Sequence, residues 1–163
     1  MTDSAAPTAA DPDVRIAIRP AREADQGMIT ALIREAMLNP RHLDWRNFMV
    51  AEDAGRIVGL RQVKPHRQGS REVASGYVRP EYRSRGISER LMRELLARET
   101  GPLWLLCNER WTPYYERFGF RRVRSRDLPP DLRAEFRLGR VVTSVISFFT
   151  SQEIRIVPMA RPA

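Results

Sequence analysis

The sequence predicts a mixed α/β fold: a single domain built on a mostly antiparallel central sheet with helices on both faces. Three observations carry this. Short runs of strand-like alternation recur between turn residues, two segments show the three- and four-residue apolar spacing of an amphipathic helix, and those segments interrupt the strands instead of following them. With 163 residues the chain is long enough to bury one core and too short for two comfortable ones.

The elements follow in chain order. Residues 1–13, rich in Ala, Asp, Pro and Thr without periodicity, read as a disordered tail, and the domain as residues 14–163. Val14, Ile16 and Ile18 alternate as a half-buried strand that Pro20 stops. Met28, Ile29, Leu32, Ile33, Ala36 and Met37 mark a helix face, ended by Asn39-Pro40. FMVAED, GRIVGLRQVKP and REVASGYVRP are three strands of an antiparallel meander, turning at DAG and at HRQGS. A helix starting near Ser88 carries Ile87, Leu91, Met92, Leu95 and Leu96 on one face. LWLLCN is a continuously apolar central strand, YYERF a short helix, GFRRVR a strand and EIRIVPM a closing strand. Between the last two, LPPDLRAEFRLGRVVTSVISFF reads as one or two helices with Leu132, Phe136, Val141, Val145 and Phe149 inward. Its apolar end, VVTSVISFF, reads as core or as a homodimer contact.

Composition narrows the function classes. Hydrophobic content of 42% and charged content of 29% are ordinary for a globular chain. The net charge of +8 favours acidic partners. The basic residues are spread along the chain, and Lys64 is the only lysine, so a dedicated nucleic-acid face is disfavoured. A lone Cys107 cannot form an internal disulfide, and MTDSAAPTAADPD lacks the basic and apolar regions of a secretory signal. No segment approaches the roughly 20 apolar residues of a membrane span. The expectation is a cytoplasmic protein with no membrane partner.

One stretch points to a ligand. In VRPEYRSRGISERLMRELL a strand ends at Pro80 and a helix begins a few residues later, so unpaired backbone N–H groups and the positive end of the helix dipole meet at one place. Gly86 admits either close approach of an anion or a positive φ, and Arg83 and Arg85 supply charge-assisted donors. The same residues also fit a plain helix start, with Ser88 as the cap and the arginines solvated beside Glu81 and Glu89. His42 and His66 lie far apart with no Cys or His cluster, so no metal site is expected. Cys107, with no histidine beside it in sequence, reads as a buried strand thiol.

The arrangement resembles the Gcn5-related N-acetyltransferase (GNAT) family. There a strand ending in V-x-P leads into a pyrophosphate loop of pattern (Q/R)-x-x-G-x-(G/A); here the loop reads Arg83-Ser84-Arg85-Gly86-Ile87-Ser88. Downstream come Asn108, Tyr115 seven residues later, and FGF at 118–120, while IRPAREAD resembles the opening of many members. The likeness spans roughly residues 14–125.

The resemblance implies acetyl-CoA as the acetyl donor and an amine as acceptor, either a small molecule or a protein amine. The pyrophosphate would lie on the amides of Arg83, Ser84, Arg85, Gly86, Ile87 and Ser88, and the pantetheine arm along Tyr77 and Val78. Asn108 would contact the cofactor, and mid-strand Gly76 would mark a bulge that frees amides for the thioester carbonyl. Tyr115 would be the general acid, with Tyr114 as its rival. Glu72, eleven residues before Arg83, would be the base or else a solvated flank of the hairpin; Glu52 and Glu109 are substitutes. Ser88 stands where Gly or Ala is usual, and Trp111 where a small residue is usual. His42, Asp44 and Trp45 lie in a connection that borders the acceptor in relatives. Two other readings stay open: a non-catalytic acyl-CoA sensor or interaction module of the same fold, and a nucleic-acid binder.

Overall fold

The computed structural model describes residues 15–138 and 155–163. The tail at 1–13, the expected domain start at Val14 and the 141–149 run with its dimer reading lie outside the described residues. Seven strands form one sheet in the order β1-β2-β3-β4-β5-β7-β6. They are β1 (Ala17–Pro20), β2 (Phe48–Asp53), β3 (Arg56–Pro65), β4 (Arg71–Val78), β5 (Leu103–Asn108), β6 (Arg121–Arg122) and β7 (Ile156–Arg161). All neighbours are antiparallel except β4 and β5, which run parallel. The helices are α1 (Gln26–Glu35), α2 (Ile87–Ala97), α3 (Thr112–Glu116) and α4 over residues 130–138.

Strand side chains alternate between the two faces, and the core divides accordingly. On one face Met49, Ala51, Val73 and Leu105 pack with Ile87, Leu91, Met92 and Leu95 of α2. On the other, Phe48, Val50 and Leu60 receive Ile29, Leu32 and Ile33 of α1, while Trp104 and Leu106 of β5 receive Leu132 and Phe136 of α4. An isolated helix of eleven residues is marginal in water. Burying four apolar side chains at about 1.5–3 kcal/mol each is what fixes α2 to the sheet.

The antiparallel meander, both amphipathic helices and helices on both faces match the expectation from sequence. Several boundaries move, each for a tertiary reason. β1 begins at Ala17 instead of Val14, because its ladder with β2 ends where Glu52 pairs with Ala17 and β2 enters its turn. α1 stops at Glu35, well before Asn39-Pro40. Met37 adopts φ 51°, its N–H donates to Arg34 O, and Leu38 N–H donates to Ile33 O at 3.0 Å, the paired bonds of a Schellman end. Met37, beyond the helix end, is 91% exposed, and Met28, in its first turn, is 44% exposed, so neither is part of the buried face. β5 buries Leu103, Leu105 and Cys107, and only partly covers the residues that alternate with them. The GFRRVR strand shrinks to Arg121–Arg122.

Candidate active site

The loop between β4 and α2 forms the first part of the site. Gly86 is the residue before the helix, with φ 69°, and no side chain caps the helix start. Ser88, expected as the cap, instead sits inside the first turn. The helix start moves to Ile87 because left-handed Gly86 already turns the chain and its carbonyl takes the first helical bond, from Arg90 N–H. The N–H groups of the first turn have no partner within the helix, which leaves a positive pole facing the loop. Ser84 is also left-handed, φ 64°. Arg83 donates from Nε to Val78 O at 3.3 Å. Arg85 reaches Glu81 O at 3.2 Å and stacks over Tyr82.

The second part is a split in the sheet. β4 meets β5 at one bridge, Glu72 with Trp104, so the rest of β4 has no strand on that side. Opposite β3 the register slips: Leu60 faces Tyr77, but Gln62 faces Ala74. One residue of β4 is extra, the mark of a β-bulge, and Ser75 takes it up with φ 55°. Gln62 Nε2 donates to Ser75 Oγ at 2.7 Å and ties the bulge down.

A cavity of about 460 Å³ opens along the split, lined by Arg61, Gly76, Tyr77, Val78, Arg83, Ser88, Arg110, Trp111, Tyr114 and Tyr115. The residues singled out in the sequence bear on it differently. Tyr77, Val78, Arg83, Ser88 and Tyr115 line it. Ile87 is 1% exposed, with its side chain in the core, so only its backbone faces the loop. Asn108 is not in the wall: its side chain accepts from Arg110 N–H at 3.1 Å and caps the turn that leads into α3. The Tyr77 hydroxyl leaves the cavity for Glu35 Oε1, 3.0 Å away; burial and then that carboxylate make the phenol harder to ionise than usual.

Arg61 belongs to no motif of the sequence, yet it lies at the centre of this wall. It is 5% exposed. Nη1 donates to Tyr115 Oη at 3.3 Å and Nη2 to Ser88 Oγ at 3.2 Å, while Ser88 Oγ and Tyr114 Oη share a further bond of 2.9 Å. Burial works against its charge, and the Tyr115 and Tyr114 oxygens more than offset this, so the guanidinium stays protonated. The one local signal for it is Gly76, which is missing a side chain where the Arg61 guanidinium passes.

A second cavity, about 680 Å³, lies beyond the bulge and is walled in part by Arg41, Lys64, Glu72, Ala74, Ser75, Leu106 and Glu135. The loop before β4 is docked to α4 there: Asp131 accepts from Ser70 Oγ at 2.7 Å and from Gln68 N–H. Glu72 is 6% exposed, and its Oε2 meets His66 Nε2 at 2.9 Å and Lys64 Nζ at 3.1 Å. Burial disfavours the charged form of Glu72, but the His66 bond and the Lys64 charge outweigh it and hold the carboxyl below its usual range. Glu72 thus stays an anion at neutral pH.

The substitutes are elsewhere. Glu52 is bound by Arg19 and Glu109 by Arg122 and Arg155, and neither lines either cavity. His42, Asp44 and Trp45 also miss the second cavity, whose wall takes residues 37–41 from the same connection. Among the described residues no cluster of His, Cys, Asp or Glu suits a metal, and no helix is long and apolar enough to cross a membrane.

Residues 44–122 match the family model of the acetyltransferase (GNAT) domain. These residues form a GNAT domain. No curated protein matches the chain. Its GNAT fold is shared with N-acetylglutamate synthase from Neisseria gonorrhoeae, solved with coenzyme A and N-acetyl-glutamate, at TM-score 0.69 and 20% identity over 90% of this chain and 35% of that one. The GNAT chain thus spans about a third of the synthase. Rv2747 from Mycobacterium tuberculosis, solved with CoA and NLQ, matches at TM-score 0.65 and 18% identity over 90% of this chain and 99% of that one. Ard1 from Thermoplasma volcanium matches at TM-score 0.61 and 14% identity over 91% and 98%. At these identities the likeness establishes the fold.

Proposed function

We propose that this GNAT protein is an acetyl-CoA-dependent N-acetyltransferase that passes acetyl directly to a primary amine. The observation that carries the reading is the meeting of two cavities at one bulge. Ala74 and Ser75 face the cavity of Glu72, and the next residues, Gly76 to Val78, face the cavity of Tyr115. A donor and an acceptor entering from opposite sides would meet at Ser75-Gly76 without a covalent enzyme intermediate.

The residues fit coenzyme A. An uncapped helix start with Ser84 and Gly86 left-handed and Arg83 beside it suits a pyrophosphate, and the unpaired edge of β4 at Tyr77 and Val78 suits the amides of a pantetheine arm. When bound, acetyl-CoA supplies an activated acetyl carbonyl. The chain's own residues then have three tasks. Glu72, an anion walled into the acceptor cavity, attracts the ammonium and takes its proton through water. Backbone N–H groups freed by the bulge stabilise the carbonyl oxygen as charge develops on it. Tyr115 protonates the departing sulfur. A reducing, cytoplasmic setting belongs to the same reading, given the single buried thiol.

Calorimetric titration of acetyl-CoA into the protein and into an Arg83→Ala/Gly86→Glu variant tests it. Micromolar binding by the first alone supports the loop assignment. Thiol release with a panel of amines, reduced at least tenfold by Tyr115→Phe, then supports transfer. Binding with no turnover on any amine would leave an acyl-CoA sensor.

A further inference from the structure

Arg61 is a buried cation whose two terminal nitrogens are spent on neutral oxygens, those of Tyr115 and Ser88, and it forms no ion pair with a carboxylate among the described residues. Such a group is expensive to bury, so its place beside the reaction centre calls for a purpose. The chemistry of the guanidinium supplies one. It donates hydrogen bonds and accepts none. In the Arg61–Tyr115 pair the phenol oxygen is therefore the acceptor, and its single proton must point away from Arg61.

The Tyr115 ring is held edge-on by Tyr114 and Phe120, with centroids 5.1 and 6.2 Å away. Only rotation about its C–O bond is left, and Arg61 restricts that. The same guanidinium engages Ser88 in the first turn of α2, so the proton donor is referenced to the helix whose start would hold the pyrophosphate.

We propose that Arg61 is a positioning residue that directs the Tyr115 hydroxyl proton toward the sulfur of a bound acyl-CoA, an assignment that rests on the acetyltransferase reading above. As the carbon–nitrogen bond forms and the carbon–sulfur bond breaks, Tyr115 gives its proton to the sulfur, which departs with the bonding pair. Tyr115 is left as a phenolate that keeps the charge-assisted bond from Arg61 and regains a proton from solvent. Glu72 takes the proton lost by the amine and returns it to water.

The test needs no acceptor. Coenzyme A and desulfo-coenzyme A, which lacks the sulfur, are titrated calorimetrically into the wild-type protein, Arg61→Met, Arg61→Lys and Tyr115→Phe. The wild type is expected to bind coenzyme A about 5- to 10-fold more tightly than the desulfo form, the size of one hydrogen bond. Arg61→Met and Tyr115→Phe each abolish that preference, the double variant loses no more than either, and Arg61→Lys restores part of it. Desulfo-coenzyme A binds all of them within about twofold. Should Arg61→Met fail to fold by its melting curve, Arg61→Gln replaces it in the same comparison. A coenzyme A preference that survives without Arg61 overturns the proposal, as does an equal loss of affinity for both ligands. Tighter binding of succinyl-CoA than acetyl-CoA that depends on Arg61 also overturns it, because the guanidinium would then serve the acyl group. Failure of both ligands to bind the wild type instead overturns the acetyltransferase reading itself.

Discussion

A Cβ on Gly76 would lie 2.6 Å from Arg61 Nη2. The glycine in the middle of β4 thus makes room for the guanidinium that crosses beneath it toward Ser88 and Tyr115. At the loop, a Cβ on Gly86 would meet nothing within 4 Å, and that glycine is there for its positive φ. The two glycines answer different physical needs, one for space and one for backbone conformation.

Gly76→Ala is expected to push Arg61 off at least one of its partners and to cost about 1–3 kcal/mol, the penalty for leaving buried polar groups unpaired. The same change in an Arg61→Ala background should cost less. A double-mutant cycle by urea unfolding measures the coupling, and additive costs would show that the close approach is irrelevant.

Gly86→Ala should destabilise by about 1–2 kcal/mol through the left-handed backbone alone, since no neighbour obstructs the new methyl. Gly86→Asn, which tolerates that conformation better, should recover much of the loss. Equal stability of the alanine variant and the parent would refute the positive-φ requirement.

The ionisation of Glu72 gives a pH dependence with a defined sign. Its carboxyl is held below the usual range in the folded chain, so the unfolded chain binds the proton more readily. The stabilisation is fully present above the ordinary carboxylate value of about 4.3 and is lost as pH falls through the lower folded value. Glu72→Gln, which leaves Lys64 buried at 4% exposure without its carboxylate, should cost about 3–5 kcal/mol at neutral pH. The gap to the wild type should narrow on acidification below about pH 4. Urea unfolding across the acidic range checks this, and a gap that stays constant from neutral to strongly acidic pH would count against it.

Cys107 is buried, and burial, only partly opposed by Arg122, pushes its thiol up to about 11. In mildly alkaline buffer the native protein should react with a disulfide reagent at least about a hundredfold more slowly than the same chain in guanidinium. Rapid native labelling would remove the thiol from the core.

The elements legible from sequence are those whose signals are local. The apolar spacing of Leu91, Met92 and Leu95 marks α2, the alternation and turns of residues 48–78 mark the meander, and RSRGIS marks the turn that starts α2. Tyr115 and Arg83, singled out in the sequence by their offsets within such local units, both line the cavity along the split. The end of α1 is not legible in the same way, because a non-glycine residue, Met37, adopts the left-handed conformation, which sequence rarely advertises.

By itself, then, the sequence determined the fold class, the order of the elements and the turn that leads into α2, because periodicity and turn chemistry act over a few neighbouring residues. Only the tertiary structure decided what the interior charges do. The pairing of Glu72 with Lys64 and His66 depends on side chains gathered around one strand end. The contact of Arg61 with Tyr115 joins residues 54 apart in the chain, brought together by a bulge in β4 and by the packing of α2 and α3 on the same face of the sheet. Burial and partner geometry set the ionisation and hydrogen-bonding role of such groups, and both arise from contacts that no local pattern encodes.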